Sequence, residues 1–244
     1  MEQVFFEEIQ GKKIFCVFSE PNPVTKKIVI MSHGFRGDST GPARQFVDFQ
    51  RILNKEGFSV LRFDQSNSGN SDGDYLNSSF NEWINTIVYF AKKYLDQGYE
   101  VSLLGQNMGA TVAATNYPKI MNKISCILLW VPDPETDFSG DQKKTYEEGG
   151  QKYKGGFWQE AKDANFFQCL SNFSGKIHLV YGEIDRYVKK ELMDKTKKIV
   201  KDKGQEVVIL EGQDHSPWEF DKAQEVYKQQ LVKLKNNYRS LLSY

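Results

Sequence analysis

Three short motifs, each beginning with a glycine, place groups that could cooperate in nucleophilic catalysis. Residues 105–109 read GQNMG, the glycine spacing of G-x-S-x-G, in which a sharp strand-to-helix turn projects the central residue from the fold. The motifs GEID and GQDH end at Asp185 and His215. A nucleophile, an acid and a base in this chain order form a relay: the imidazole takes the proton of the nucleophile, and the carboxylate orients the imidazole.

The central position of the first motif departs from this chemistry. Asn107 has a neutral amide, which offers no hydroxyl or thiol for His215 to activate. The chain as written should therefore form no acyl-enzyme by the serine mechanism. Because Asn tolerates a positive φ better than most residues, we expect the fold to accommodate it at this turn.

The elements that would hold these motifs alternate between short apolar runs and longer segments of helical periodicity. This order is typical of a parallel sheet covered by helices, in which ligands bind beyond the carboxyl ends of the strands. We predict a hairpin at residues 4–9 and 13–19, and parallel strands at residues 27–31, 59–63, 101–104, 124–130, 177–181 and 206–210. Helices are predicted near residues 43–56, 80–95, 108–116, 189–203 and 217–241.

One interval breaks this alternation. Residues 132–172 separate two predicted strands, with a polar front at 139–156 and a helix-like rear at 158–170. An insertion of this size is typical of a lid or binding element, the alternative being a disordered surface loop. We predict one domain over residues 1–244, with residues 132–172 as a cap within it.

Composition excludes several classes of partner. Lys and Arg number 32, as do Asp and Glu, so there is no basic field to hold nucleic acid. No apolar run approaches the roughly 20 residues that span a bilayer, and the N-terminus lacks a signal-peptide pattern, so we expect a cytoplasmic protein without a membrane partner. The three cysteines show no metal-binding or disulfide spacing and are expected to be buried free thiols. The sequence is compatible with an oligomer but contains no pattern that predicts one.

Over about residues 13 to 240 the sequence resembles the α/β-hydrolase family, and most nearly its small bacterial carboxylesterases of the cinnamoyl or feruloyl esterase type. The resemblance rests on the three motifs above and on the loop of residues 32–37, SHGFRG, after the first parallel strand. It implies an α/β-hydrolase fold: a mostly parallel central sheet with an N-terminal antiparallel hairpin, helices on both faces and a short cap. It implies no metal and no cofactor.

The resemblance also implies a role for each site residue. In a working ancestor, the nucleophile at position 107 would be activated by His215, which Asp185 orients. The oxyanion donors would be the backbone N–H groups of Phe35 and Met108. Asp133, which also follows a strand, is the alternative acid.

The substrate implied is a small ester, either an aryl ester such as a hydroxycinnamate or a short acyl ester. Candidate substrate-binding residues are Gly34 in the oxyanion loop, Phe157 and Trp158 in the cap, and Trp218 after the His215 motif. For the two cap aromatics the alternative is that they begin a packed helix. Of the other histidines, His33 is expected to shape the oxyanion loop, and His178, in mid-strand, to lie in the core.

Three explanations of Asn107 stay open. The first is a Ser→Asn change in a working carboxylesterase, favoured because the acid, base and oxyanion positions look intact. The second is a naturally non-catalytic ligand-binding relative, since fold does not guarantee function. The third is an Asp-nucleophile ancestor, as in haloalkane dehalogenases and epoxide hydrolases, from which Asn differs by one group. Met108 argues against the third explanation, because the haloalkane dehalogenases share a Trp at the position after the nucleophile.

Overall fold

A large sheet forms the centre of the computed structural model, which describes residues 1–115, 120, 122–135 and 138–241, the last five of these by backbone alone. The strands within the described residues are β1 Glu2–Ile9, β2 Lys12–Ser19, β3 Lys27–Ser32, β4 Ser59–Phe63, β5 Glu100–Gln106, β6 Ile124–Trp130, β7 Thr145–Glu148, β8 Gln151–Lys154, β9 Lys176–Gly182 and β10 Glu206–Leu210. The helices are α1 Gln45–Lys55, α2 Phe80–Asp96, α3 Met108–Ala114, α4 Gly156–Asp163, α5 Phe166–Asn172, α6 Lys190–Asp202 and α7 Phe220–Leu241.

The sheet has the order β1-β2-β4-β3-β5-β6-β9-β10. Strands β1 and β2 pair antiparallel, and β2 also runs antiparallel to β4, whereas β4, β3, β5, β6, β9 and β10 are parallel. Helices cover both faces, which is why central strands such as β4 are buried at every residue. The predicted fold class, a mostly parallel sheet with an N-terminal antiparallel hairpin, is confirmed.

The core is continuous across the sheet and rich in aromatic rings. Trp130 at the end of β6 lies against Phe46 and Phe49 of α1 and stacks with Tyr227 of α7, at ring-centroid distances of 5.5, 6.2 and 5.9 Å. Because these two helices and the strand share one aromatic cluster, the end of β6 is held rigidly beside the carboxyl edge of the sheet.

The helix boundaries depart from the predictions at several turns. Helix α1 begins at Gln45 and not at residue 43, because Ala43 and Arg44 adopt positive φ values of 47° and 65°. Helix α7 begins at Phe220 and not at residue 217. The predicted end of the third helix, Asn116, lies outside the described residues.

The interval of residues 132–172 contains structure that the sequence did not reveal. Its polar front includes the antiparallel hairpin β7–β8, and its rear is two short helices, α4 and α5, in place of one. The break between them falls at Asn165, whose φ of 55° is left-handed and ends the first helix.

All three cysteines, Cys16, Cys126 and Cys169, are free and buried. Among the described residues, no helix is long and apolar enough to cross a membrane.

Candidate active site

The turn between β5 and α3 projects Asn107 from the sheet. Asn107 has φ 52° and ψ −122°, a strained conformation, and its backbone N–H donates to the Trp130 carbonyl at 2.9 Å. A Cβ at Gly105 would collide with the Gly109 backbone, and a Cβ at Gly109 would collide with the Ser32 carbonyl. Both flanking glycines are therefore required for strand and helix to approach this closely.

Asn107, His215 and Asp185 form a continuous chain of hydrogen bonds. The Nδ1 atom of His215 lies 2.8 Å from Oδ2 of Asp185, and its Nε2 atom lies 3.1 Å from Nδ2 of Asn107. Because a carboxylate only accepts, Nδ1 carries the imidazole proton, and Nε2 accepts from the Asn107 amide. The Asp185 side chain is fully buried, and that of His215 is 10% exposed. The structure thus brings the three predicted relay positions together.

The Asp185 carboxylate is itself held by backbone donors. Its Oδ1 accepts the N–H groups of Tyr187 and Val188, both at 3.0 Å, which leaves Oδ2 directed at His215. Asp133, the alternative acid, lies in the wall of the same cavity, and its backbone carbonyl accepts from the Thr111 hydroxyl at 2.8 Å. The carboxylate that reaches the imidazole Nδ1 is that of Asp185.

Asp214 fixes the loop that carries His215. Its carboxylate accepts the His215 backbone N–H at 2.8 Å and the backbone and Nε of Arg186 at 3.0 and 2.6 Å. Partial burial alone would raise the pKa of this carboxyl, but these hydrogen bonds outweigh burial and hold the pKa below its ordinary value. Asp214 therefore links the loops after β9 and β10.

The loop of residues 32–37, predicted to supply an oxyanion donor and called the oxyanion loop below, lies against the Asn107 side chain. The Phe35 N–H donates to Oδ1 of Asn107 at 3.2 Å, and the Gly34 N–H donates to Oε1 of Gln106 at 3.0 Å. The Gln106 amide nitrogen donates in turn to the Ser216 hydroxyl at 2.6 Å. Gln106 therefore ties the oxyanion loop to the His215 loop. The motif spacing marked the glycines and the central residue but gave no signal for Gln106.

Met108, the second predicted oxyanion donor, is the first residue of α3. The N–H groups of a first helical turn have no partner within their own helix and point out of its N-terminus. Its position is therefore that of a backbone donor independent of side-chain identity.

His33 holds the start of the oxyanion loop. Its Nδ1 donates to the Gly34 carbonyl at 2.8 Å, and its Nε2 accepts the Gln65 N–H at 2.9 Å. Burial lowers the pKa of His33 and so keeps the imidazole neutral, as this pair of bonds requires.

Aromatic side chains from the interval of residues 132–172 surround the Phe35 ring. This ring lies 4.7 Å from Trp158, 4.9 Å from Tyr153 and 5.0 Å from Phe157, measured between centroids. Tyr75 packs beside it at 5.3 Å, and its hydroxyl accepts the Arg36 N–H at 2.7 Å. These aromatic contacts and the Tyr75 hydrogen bond therefore hold the backbone of residues 35 and 36 in place.

A cavity of about 500 Å³ opens onto Asn107 and His215. Its wall combines aromatic and charged side chains, among them Trp158, Tyr187, Arg36, Asp38, Asp133, Glu135 and Glu148. Apart from Asp133, which was considered as the acid, the charged members were missed by sequence reasoning, because a charged side chain in a loop is usually solvated.

The structure places the predicted substrate-binding residues in different settings, some at the cavity and some in the core. Trp158 lines the cavity. Phe157 is only 1% exposed and packs on Trp83 of α2 at 5.0 Å, and Trp218 is 5% exposed and packs on Trp130 at 5.3 Å, so both belong to the core. Gly34 acts through its backbone bond to Gln106, and a Cβ there would crowd Asn107.

Within the residues that the structure describes, no group of three or more His, Cys, Asp or Glu side chains is placed to hold a metal ion.

Comparison with known proteins gives the same architecture. The family model described as serine aminopeptidase S33 matches residues 23–133, the part that contains the oxyanion loop and the turn at Asn107. None of the curated proteins compared with the chain matches it.

Several solved structures are similar over nearly the whole chain. Est1E from Butyrivibrio proteoclasticus, solved with ferulic acid bound, is 19% identical, with a TM-score of 0.82 over 95% of this chain and 99% of its own. The α/β hydrolase GrgF from a Penicillium species is 16% identical, with a TM-score of 0.78 over 97% and 99%. The mouse α/β hydrolase domain-containing protein 10 is 14% identical, with a TM-score of 0.76 over 96% and 99%. The chain therefore has the α/β-hydrolase fold, with Asn107 at the turn between β5 and α3.

Proposed function

We propose that this chain carries the site of a serine-type carboxylic-ester hydrolase in which Asn107 occupies the nucleophile's position, so that it binds small esters but forms no acyl-enzyme. The observation that carries the proposal is the pair of hydrogen bonds on the Asn107 amide. One joins Nδ2 to His215 Nε2 at 3.1 Å, and the other joins Oδ1 to the Phe35 N–H at 3.2 Å. These partners are a general base and an oxyanion donor, the two groups that acyl transfer needs around a nucleophile.

The chemistry of the site follows from this arrangement once position 107 carries a hydroxyl. His215 Nε2 would take the hydroxyl proton as the oxygen attacks the ester carbonyl, and Asp185 would stabilise the imidazolium that forms. The Phe35 and Met108 N–H groups would stabilise the charge on the carbonyl oxygen. His215 would then protonate the leaving alcohol, and a water molecule activated by the same imidazole would release the acid.

Asn107 blocks this sequence in two ways. Its amide nitrogen is not a nucleophile, because its lone pair is delocalised into the carbonyl. Its Oδ1 also accepts the Phe35 N–H at 3.2 Å, the donor that a substrate carbonyl would require. A serine side chain, which is shorter and carries a single oxygen, would leave that donor to the substrate.

The lining of the cavity supports an aryl or short-acyl ester without a negative charge. Trp158 and Tyr187 offer aromatic faces to an aryl group. Among the described lining residues, Asp38, Asp133, Glu135 and Glu148 carry carboxylates, whereas Arg36 carries a guanidinium, which is paired with Glu148 at 2.8 Å. An anionic ester would be repelled by this excess of carboxylates.

We further infer that residues 1–244 act as one domain and residues 132–172 as its cap.

The experiment is to restore the hydroxyl and measure turnover. We expect Asn107→Ser to hydrolyse p-nitrophenyl acetate and methyl ferulate, with kcat/KM about 10⁴-fold or more above the unchanged chain, in line with the cost of removing such a nucleophile. Asn107→Ala is the matched control and should stay inactive. The unchanged chain should bind methyl ferulate, seen as quenching of tryptophan fluorescence that Trp158→Phe reduces.

A folded Asn107→Ser variant that binds methyl ferulate but gains no turnover would contradict the proposal and support the second class, a non-catalytic ligand-binding protein. Turnover of haloalkanes or epoxides by Asn107→Asp, with no esterase activity in Asn107→Ser, would point instead to an Asp nucleophile.

A further inference from the structure

We propose a second reaction at this site, one that consumes no ester: the site hydrolyses the side-chain amide of Asn107 itself, which converts this residue to Asp and releases ammonia. The reaction depends on the hydrogen bonds around Asn107 and not on the identity of any ester. It therefore goes beyond the proposed function and can be tested separately from it.

The Asn107 amide is placed as a bound amide substrate would be. Its carbonyl oxygen accepts the Phe35 N–H at 3.2 Å, so a donor already lies where negative charge would develop. Its nitrogen, the leaving group, lies 3.1 Å from Nε2 of His215, within reach of proton transfer. Asn107 lines a cavity of about 500 Å³, which is large enough to hold water beside the amide.

The backbone fixes this placement before any reaction begins. The Asn107 backbone is held by its N–H bond to Trp130 and by the close packing at Gly105 and Gly109. Its side-chain amide is held by the bonds to Phe35 and His215. His215 is held on its other side by Asp185 at 2.8 Å. Amide, donor and base are therefore preorganised, which is the condition under which electrostatic and proximity effects accelerate a reaction most.

The step balances without an oxidant, a reductant or a metal. Water attacks Cγ of Asn107 while its proton passes to Nε2 of His215, and the carbonyl electron pair moves onto Oδ1, where the Phe35 N–H stabilises it. The Cγ–Nδ2 bond then breaks as Nε2 returns the proton to Nδ2, and ammonia leaves. The new carboxyl group loses its proton, so that one amide and one water give one carboxylate and one ammonium ion.

The reaction occurs once per chain. The carboxylate formed at position 107 lies opposite His215 and favours the protonated imidazole, which can no longer act as a base. The product is thus a chain with one additional negative charge in a cavity wall that already contains several carboxylates.

The test is ageing of the intact folded chain, followed by mass spectrometry. Trypsin releases residues 94–119, which contain both Asn107 and Asn116, so Asn116 serves as an internal comparison. We expect a gain of about one dalton at residue 107, from replacement of an amide by a carboxylate. Ageing in oxygen-18 water should place one heavy oxygen at the same residue. The isolated peptide, aged in parallel, should convert at residue 107 about 100-fold more slowly, the lower end of what general acid–base catalysis contributes.

His215→Ala should reduce conversion in the folded chain to the rate of the isolated peptide. Three results would overturn the inference: a residue 107 that stays Asn, conversion at the same rate in His215→Ala, or isoaspartate as the product. Isoaspartate arises when the Met108 backbone nitrogen attacks Cγ, a route that needs no imidazole. The comparison of folded chain and isolated peptide stands even if the variant fails to fold.

The two proposals fail in different ways. Esterase activity in Asn107→Ser together with an unchanged Asn107 in the aged chain would remove only this inference. Conversion of Asn107 without esterase activity in Asn107→Ser would remove only the proposed function.

Discussion

His215 and His178 are the same side chain in two opposite surroundings. His178 lies within β9, fully buried, with Nδ1 accepting from the Gln230 amide at 3.2 Å and Nε2 3.6 Å from the Glu206 carboxylate. His215 follows the last strand, with Asp185 on Nδ1, and its Nε2 faces the amide of Asn107 at the cavity wall. A histidine can move protons only where one nitrogen reaches a reactant, so position relative to the sheet's carboxyl edge separates the two.

Their electrostatics differ for the same reason. Burial lowers the pKa of His178 to about 4, although Glu206 opposes this effect, so its imidazole is neutral at ordinary pH. Gln230 is the hydrogen-bond partner of His178 Nδ1, whereas the buried Nε2 makes no hydrogen bond within the described residues. The partners of His215 instead orient a lone pair toward position 107, which is what a general base requires.

Replacing each histidine in turn should have the largest effect and distinguish the catalytic histidine from the structural one. In an Asn107→Ser background we expect His215→Ala to lower kcat/KM for p-nitrophenyl acetate by about 10⁴-fold or more, because the base that takes the hydroxyl proton is lost. His178→Asn is the matched variant and should leave kcat/KM within a few-fold. A large loss in the folded His178 variant would show that the two sites are coupled.

The carboxylate partner gives the next largest effect. In the same background, Asp185→Asn should lower kcat by about 10⁴-fold, the magnitude typical of losing the carboxylate that orients the imidazole. KM should change little, since Asp185 is fully buried and lies behind His215. Asp133→Asn is the control, and a larger fall in kcat there than in Asp185→Asn would transfer the acid's role to Asp133.

The smallest expected effect concerns His178 and stability. Because its pKa is about 4 in the folded chain and near 6.5 when unfolded, the unfolded chain binds a proton first as pH falls. The contribution of His178 to the free energy of unfolding should therefore be constant above pH 6.5, be lost between pH 6.5 and 4, and level off below pH 4. The loss assigned to His178 is at most about 3 kcal/mol.

Urea unfolding of the unchanged chain and of His178→Asn across this pH range measures that loss as the difference between the two slopes. Equal slopes would mean that His178 titrates alike in both states, which would place it in a solvated setting and not in the core.

The sequence predicted the sheet well and its surroundings less well. Apolar runs punctuated by glycine located strands such as β4 and β6 to within a residue, because buried parallel strands leave a strong signal. The hairpin β7–β8 was missed, since its residues are mostly exposed and polar and Tyr146–Tyr153 is the one aromatic pair among its four facing pairs. A four-residue polar strand has no hydrophobic period to detect.

The residues of the candidate site also differ in how well the sequence predicted them. Asn107, Asp185 and His215 could be found because each follows a strand in a glycine-marked motif. The sequence could not show that Trp158 lines the cavity and that Phe157 lies in the core, because neighbouring aromatic residues are equally common in both settings. Gln106, which joins two loops of the site, has no pattern of its own and is visible only from its hydrogen bonds.

We expect His215 and Asp185 to form a working proton relay that lacks only a nucleophile. Covalent capture tests this expectation: Asn107→Ser is incubated with a fluorophosphonate, and the adduct is located by mass spectrometry. We predict stoichiometric labelling of the introduced serine, and none in the unchanged chain or in Asn107→Ser/His215→Ala. A folded Asn107→Ser chain that stays unlabelled, or that is labelled equally without His215, would contradict it.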